Sequence, residues 1–199
     1  MHRHFLIYKP HGYLSQFIYE KKRAKKLLGE LYNFPQGTMA IGRLDEDSEG
    51  LLLLTTDGMM SEMVRSKTVE KEYYAQVDGV INQIAIDELQ KGVIIGFKGI
   101  RYTTKNCDAK IINKLPECIG EGIRIRDERH GPTSWLSITL TEGKFRQVRK
   151  MTAAIGFPTL RLVRIRVGNI HLQNLKAGEV QEVESFFNGN NNQNKNKYL

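Results

Sequence analysis

Short strand-like and helix-like signals alternate along almost the whole chain, and this alternation limits the possible folds more than any other feature. Residues 5–8 read as a strand stopped by Pro10 and Gly12. Ala24, Leu27, Leu28 and Leu31 recur at helical spacing, which predicts a helix over 21–32. The apolar run Leu51, Leu52, Leu53, Leu54 and Thr55 is short and reads as a buried strand. Asp57 can cap a following helix that turns Met60, Met63 and Val64 inward. Alternation over 71–80 predicts a strand with Tyr73, Ala75 and Val77 on one face. Residues 82–91 read as a helix ending at Gly92, and 105–113 as a weaker strand. The Gly- and charge-rich stretch 116–132 reads as a loop. Ser134, Leu136, Ile138 and Leu140 mark another strand, 144–155 a helix closed by Gly156, and 159–167 a last strand. On that strand Val163, Ile165 and Val167 share one face, with Arg164 and Arg166 on the other. Hairpin-like and helical connections together imply an α+β fold with a mixed, mainly antiparallel sheet. No Gly-rich phosphate loop follows any strand, which argues against dinucleotide and P-loop enzymes.

The 199 residues suit one domain, or one domain split into two lobes. Residues 1–187 are expected to form it. Residues 188–197, NGNNNQNKNK, cannot bury apolar surface, so 188–199 is expected to be a disordered tail. The formal net charge of +8 and pI of about 9.4 favour a polyanionic partner. No apolar run approaches the roughly 18 residues of a membrane span. The start is not a signal peptide, so a cytoplasmic protein is expected. Cys107, Cys118 and the scattered histidines lack metal-ligand spacing. No metal or cofactor is expected, and a monomer is expected because no apolar helix face looks unclaimed.

Chemistry can sit in three segments. Gly42-Arg43-Leu44-Asp45, followed by Ser48-Glu49-Gly50 and the leucine run, puts a carboxylate just before a buried strand. It is either a polar surface turn or a carboxylate held by rigid structure, as reactive groups often are. In Glu142-Gly143-Lys144-Phe145-Arg146-Gln147-Val148-Arg149-Lys150-Met151, a helical wheel puts Val148 and Met151 on the core side. Arg146 and Lys150 fall opposite, free for phosphates, and Arg149 falls between, within reach of a partly buried carboxylate. A solvated basic face is the plain alternative. Lys71-Glu72-Tyr73-Tyr74 points its tyrosines to opposite faces, for packing or for stacking on a base. Ten Lys/Arg against three Asp/Glu between Arg124 and Arg166, with the Lys21–Lys26 run, suit phosphate contacts or a solvated face.

These segments, in this order, resemble the RsuA-type pseudouridine synthases, from about Phe5 to Val183. GRLD with its GLLLLT strand resembles the catalytic motif and maps the aspartate to Asp45. KEY maps a tyrosine to Tyr73, and EGKFRQVRKM maps a basic residue to Arg149. LSQF and PTSWLSITLTEGKFRQVRKMTAAIGFPTLRL look most similar to the RluE branch, which acts on large-subunit (23S) ribosomal RNA. The pattern begins at Phe5, so the S4 RNA-binding domain of many such enzymes is not expected here, and Ser48 replaces a common threonine. The resemblance implies a catalytic cleft across the sheet and cofactor-free isomerisation of a flipped uridine. Asp45 would act on the ribose, and Arg149 would hold it ionised and oriented. Tyr73 would stack under the uracil and serve as a base. Arg43, Arg146, Lys150, Arg164 and Arg166 would contact RNA. Two other classes compete: a non-catalytic ribosomal RNA-binding protein, and a magnesium-dependent nuclease using Asp45, Glu46, Asp47 and Glu49.

Overall fold

The computed structural model describes residues 2–19, 24–65, 69–120 and 128–187. Its strands are β1 (His4–Lys9), β2 (Tyr13–Leu14), β3 (Lys26–Leu27), β4 (Met39–Ile41), β5 (Glu49–Thr55), β6 (Lys71–Asp78), β7 (Ile94–Phe97), β8 (Ile100–Thr103), β9 (Asp108–Ile112), β10 (Thr133–Leu140), β11 (Thr159–Val167), β12 (Ile170–His171) and β13 (Val180–Val183). The helices are α1 (Gly58–Val64), α2 (Gln83–Lys91) and α3 (Gln147–Ala154). The expected α+β class with a mainly antiparallel sheet is what forms.

One large sheet runs β13-β1-β5-β11-β6-β10-β9, with β4 added to β5 and β12 to β11. Its neighbours pair antiparallel except at β5–β11, which is parallel and brief: Glu49 faces Val163 and Gly50 faces Arg164. That pairing divides the sheet into two halves, the counterpart of the anticipated lobes. It also explains the glycine before the leucine run. Gly50 has φ +100°, and a Cβ there would lie 2.3 Å from the Arg164 carbonyl oxygen. Only glycine lets the two halves come this close.

β5 is buried along its whole length because both its faces are covered. Leu51 and Leu53 pack with Leu6, Tyr8 and Val163 on one side. Leu52 and Leu54 pack with Phe5, Ile7 and Leu28 on the other. A separate core unites α2 and α3 with β6 and β10 through Ile86, Leu89, Met151, Ala75 and Ile138. Asp57 caps α1 through Met59 N and Met60 N, and Asn82 caps α2 through Ala85 N.

Four sequence expectations are corrected. The helix expected over 21–32 is absent among the described residues 24–32. Lys26–Leu27 is strand β3, parallel to β2, and a single 3₁₀ turn, Leu28–Glu30, follows. The Leu28 N–H donates to Gln16 O and the Leu27 N–H to Glu30 Oε1, so the backbone bonds outward and the leucines still reach the core. A helix this short has little stability of its own to resist that. Met63 on α1 is exposed rather than inward, while Val64 is buried. α3 begins at Gln147, because Arg146 has φ +54° and ψ +38° and stands outside the helix. Residues 94–103, outside every strand that the sequence predicts, form the β7–β8 hairpin. Its tip is Lys98-Gly99, both at positive φ, as a two-residue primed turn requires. The expected tail lies outside the described residues, as do residues 21–23 of the basic run.

Candidate active site

The acidic segment 45–49 leads into the rigid β5, and its side chains are held differently along its length. At its inner end, Glu49 receives Arg161 Nε at 2.8 Å and Nη2 at 3.1 Å, and both side chains are about 95% buried (5% and 4% exposed). At its middle, Asp47 takes a bidentate pair from Arg146, Nη1 to Oδ1 at 2.9 Å and Nη2 to Oδ2 at 2.8 Å. Glu46 pairs with Lys25 at 2.7 Å. Asp45, at the outer end, has no hydrogen bond to its carboxylate among the described residues; its nearest cation is Arg146 Nη1 at 3.7 Å, and its side chain is 30% exposed. Glu46 and Glu49 are each taken by a different cation while Asp45 and Asp47 share Arg146, and among the described residues no three His, Cys, Asp or Glu side chains are grouped as metal ligands would be, which disfavours the nuclease arrangement.

The backbone around Asp45 is fixed from behind. The Ser15 hydroxyl accepts from Leu44 N at 2.9 Å and donates to Leu44 O at 2.8 Å. Gly12 N donates to Glu46 O, and Ser48 N to Asp45 O, closing a turn. Lys9 is fully buried and holds the neighbouring turn by donating to Pro10 O and Tyr13 O at 2.8 and 2.7 Å. Burial pushes its ammonium down to about 8, against the upward pull of Glu49 and the other carboxylates of the segment.

Arg149 does reach the acidic turn, but through Asp47 rather than Asp45. Its Nη2 donates to Asp47 O at 2.7 Å and lies 3.4 Å from Asp47 Oδ2, and its Nη1 donates to Thr159 O. Burial would raise the Asp47 carboxyl, but the Arg146 hydrogen bonds and the Arg149 charge outweigh it and hold it below its usual range. Burial also lowers the Arg149 guanidinium, and its buried Nε has no hydrogen-bond partner among the described residues. The expected division of labour is therefore changed: Arg146, not Arg149, is the guanidinium beside Asp45. Because Arg146 sits outside the helix, the wheel that left it free for phosphates does not apply.

A cavity of about 480 Å³ opens beside this turn, lined by Arg43, Lys71, Tyr73, Tyr102 and Arg164 among others. Asp45 is not in its wall but follows Arg43 by two residues. Tyr73 packs against the cluster that includes Leu44, and its phenol oxygen has no hydrogen-bond partner among the described residues. Arg43 is exposed. Arg164 is buried, with its Nε donated to Leu51 O, so it forms cavity wall rather than outer surface. Burial and the Arg164 charge together lower Lys71. Like charges held this close favour an anion. Arg166 is not free: it pairs with Glu72 at 2.9 Å and Glu70 at 3.0 Å. Lys150 donates to Gly96 O at 2.8 Å.

Sequence reading missed Ser15, Asp47 as the paired anion, and Tyr102 with Glu142. The Tyr102 hydroxyl donates to Glu142 Oε2 at 2.5 Å, and that bond with burial raises the phenol. No local signal marks a serine whose partner is 29 residues away.

The family model for RNA pseudouridylate synthase matches residues 3–154. Ribosomal large subunit pseudouridine synthase E of Xanthomonas axonopodis pv. citri (strain 306) is 37% identical over 172 residues, covering 85% of this chain and 88% of that protein. The protein of the same name from Vibrio parahaemolyticus serotype O3:K6 (strain RIMD 2210633) is 39% identical over 178 residues, 88% of this chain and 71% of its own length. A solved structure titled "Crystal structure of pseudouridylate synthase" superposes with a TM-score of 0.72 at 23% identity, covering 92% of this chain and 70% of that one, which establishes the likeness of fold.

Proposed function

The chain belongs to the RNA pseudouridylate synthase family, and from this we propose that it converts a uridine of large-subunit, 23S, ribosomal RNA to pseudouridine with Asp45 as its reactive carboxylate. It is an isomerase. The N1–C1′ bond breaks, the uracil turns, and C5 bonds to C1′; N1 gains a proton and C5 loses one, so no atom enters or leaves. A base stacked in RNA cannot turn in this way, so the uridine is flipped into the protein.

The observation that carries the reading is the contrast within one short segment. Asp47 is bound by two guanidinium groups, whereas Asp45 beside it keeps its oxygens open on a turn that Ser15 fixes. An open carboxylate can either bond to C1′ or take the C2′ proton. Tyr73, on the cavity wall, stacks on the extruded uracil and its phenol serves as the base. Arg146 orients Asp45, and Arg149 acts one step removed by holding Asp47. Arg43 and the wall cations Lys71 and Arg164 receive the phosphates of the flipped nucleotide, and Lys150 and Arg166 assist the approach of RNA despite their intramolecular bonds. Residues 1–187 work as one catalytic unit, a monomer in the cytoplasm without metal or cofactor; no helix among the described residues is long and apolar enough to cross a membrane.

Incubating the protein with large-subunit ribosomal RNA transcript and mapping carbodiimide adducts tests this. A new adduct at one uridine, formed equally with EDTA present, is the expected result. Strand cleavage that EDTA abolishes would favour the nuclease, and binding without any adduct would favour the non-catalytic protein.

A further inference from the structure

Beyond the cavity, a row of rings and ammonium groups continues along one side of the molecule. The cavity wall already includes Tyr102, Lys105 and Lys144. Lys144 Nζ lies 4.9 Å from the Tyr102 ring centre and 5.1 Å from that of Phe97. Phe97 and Tyr102 are 6.1 Å apart across the β7–β8 hairpin. Lys150 Nζ, bonded to the carbonyl of Gly96, lies 5.5 Å from the ring of Phe145, and Lys98 at the hairpin tip lies 5.7 Å from the Phe97 ring. Phe145 is 67% exposed and appears in none of the buried clusters, so packing does not account for it.

The charge here is one-sided. Glu142 is the acidic group among these residues, and its oxygens already accept from Tyr102 Oη, Lys105 N and Gln147 Nε2. The ammonium groups of Lys98, Lys144 and Lys150 have no carboxylate partner within 4 Å among the described residues. Rings interleaved with such cations match a single strand of nucleic acid, whose bases stack on rings while its phosphates meet the cations. A protein partner would be expected to bring acidic residues, but would leave an aromatic face at the cavity mouth unexplained.

We propose that Phe145, Phe97 and Tyr102, with Lys98, Lys144 and Lys150, form a stacking ledge that holds the unpaired RNA flanking the target uridine. The proposal rests on the reading of this chain as an enzyme acting on RNA. The hairpin carries part of the ledge: its positive-φ tip holds the exposed Lys98 over the Phe97 ring, and the Lys150–Gly96 bond ties it to α3, the helix that carries Arg149.

The test uses the full-length protein with Asp45→Asn, so that RNA is bound without turnover, and fluorescence anisotropy with a single-stranded fragment of large-subunit ribosomal RNA. Adding Phe145→Ala is expected to raise Kd about 5- to 100-fold, and Phe145→Trp to restore binding. Lys98→Ala is expected to make the slope of log K against log salt shallower by roughly 0.7, the value for one phosphate contact to a single strand. Met59→Ala, at an exposed apolar residue on α1, serves as the control and should match the parent. A Kd for Phe145→Ala within twofold of the parent, with circular dichroism unchanged, would overturn the ledge and leave the catalytic assignment standing. Failure of the parent itself to bind RNA would overturn the RNA reading, and the ledge with it.

Discussion

Glu49 and Asp45 stand on one short segment, yet they are held in opposite ways. Glu49 is enclosed where the two halves of the sheet meet, bound to a buried arginine and next to a glycine that no other residue can replace. Asp45 stands at the other end, part exposed, and among the described residues the ion pair it makes is a long one, to the Arg146 guanidinium at 3.7 Å. The inner end is made rigid by packing and by a fully satisfied ion pair, and the outer end is left open. The role proposed for Asp45, meeting a sugar, calls for a fixed position and free oxygens, and the segment separates these requirements between its two ends.

The comparison can be broken at either end. The largest effect on folding is expected at the inner end. Glu49→Ala leaves the Arg161 guanidinium buried without its partner, which should cost about 3–5 kcal/mol of stability in urea unfolding. A loss below about 1 kcal/mol would mean that water reaches Arg161 and that the joint is not dry.

A smaller effect on folding, but a selective one on activity, is expected behind the outer end. Ser15→Ala removes both bonds to Leu44 and should cost roughly 1–3 kcal/mol. If Ser15 positions Asp45, the single-turnover rate should fall by more than the affinity for RNA, and Ser15→Thr should recover part of the rate. Equal turnover in the stable fraction of the Ser15→Ala protein would reduce the serine to a structural support.

Much of this was legible in the sequence, and the failures have physical causes. The leucine run was legible as a buried strand because an apolar stretch too short for a helix fits a strand covered on both faces. Asp57, Asn82 and Gly92 marked helix ends because capping is local. The helix over 21–32 failed because apolar spacing does not reveal that Gln16 and Glu30 would take the backbone donors. Arg146 failed for a related reason: a single left-handed residue shortens the helix and redirects its side chain to Asp47. Arg166 could be read as a strand residue but not as the partner of Glu70 and Glu72, which only the β6–β11 pairing brings to it.

The most direct test places Asp45→Asn and Asp47→Asn side by side on the same ribosomal RNA transcript, measuring the single-turnover rate of pseudouridine formation and the affinity for RNA. The account predicts no detectable product from Asp45→Asn at near-normal affinity, and slowed but measurable turnover from Asp47→Asn, whose carboxylate orients rather than reacts. Turnover at the unaltered rate by Asp45→Asn, or its complete loss in Asp47→Asn alone, would contradict it.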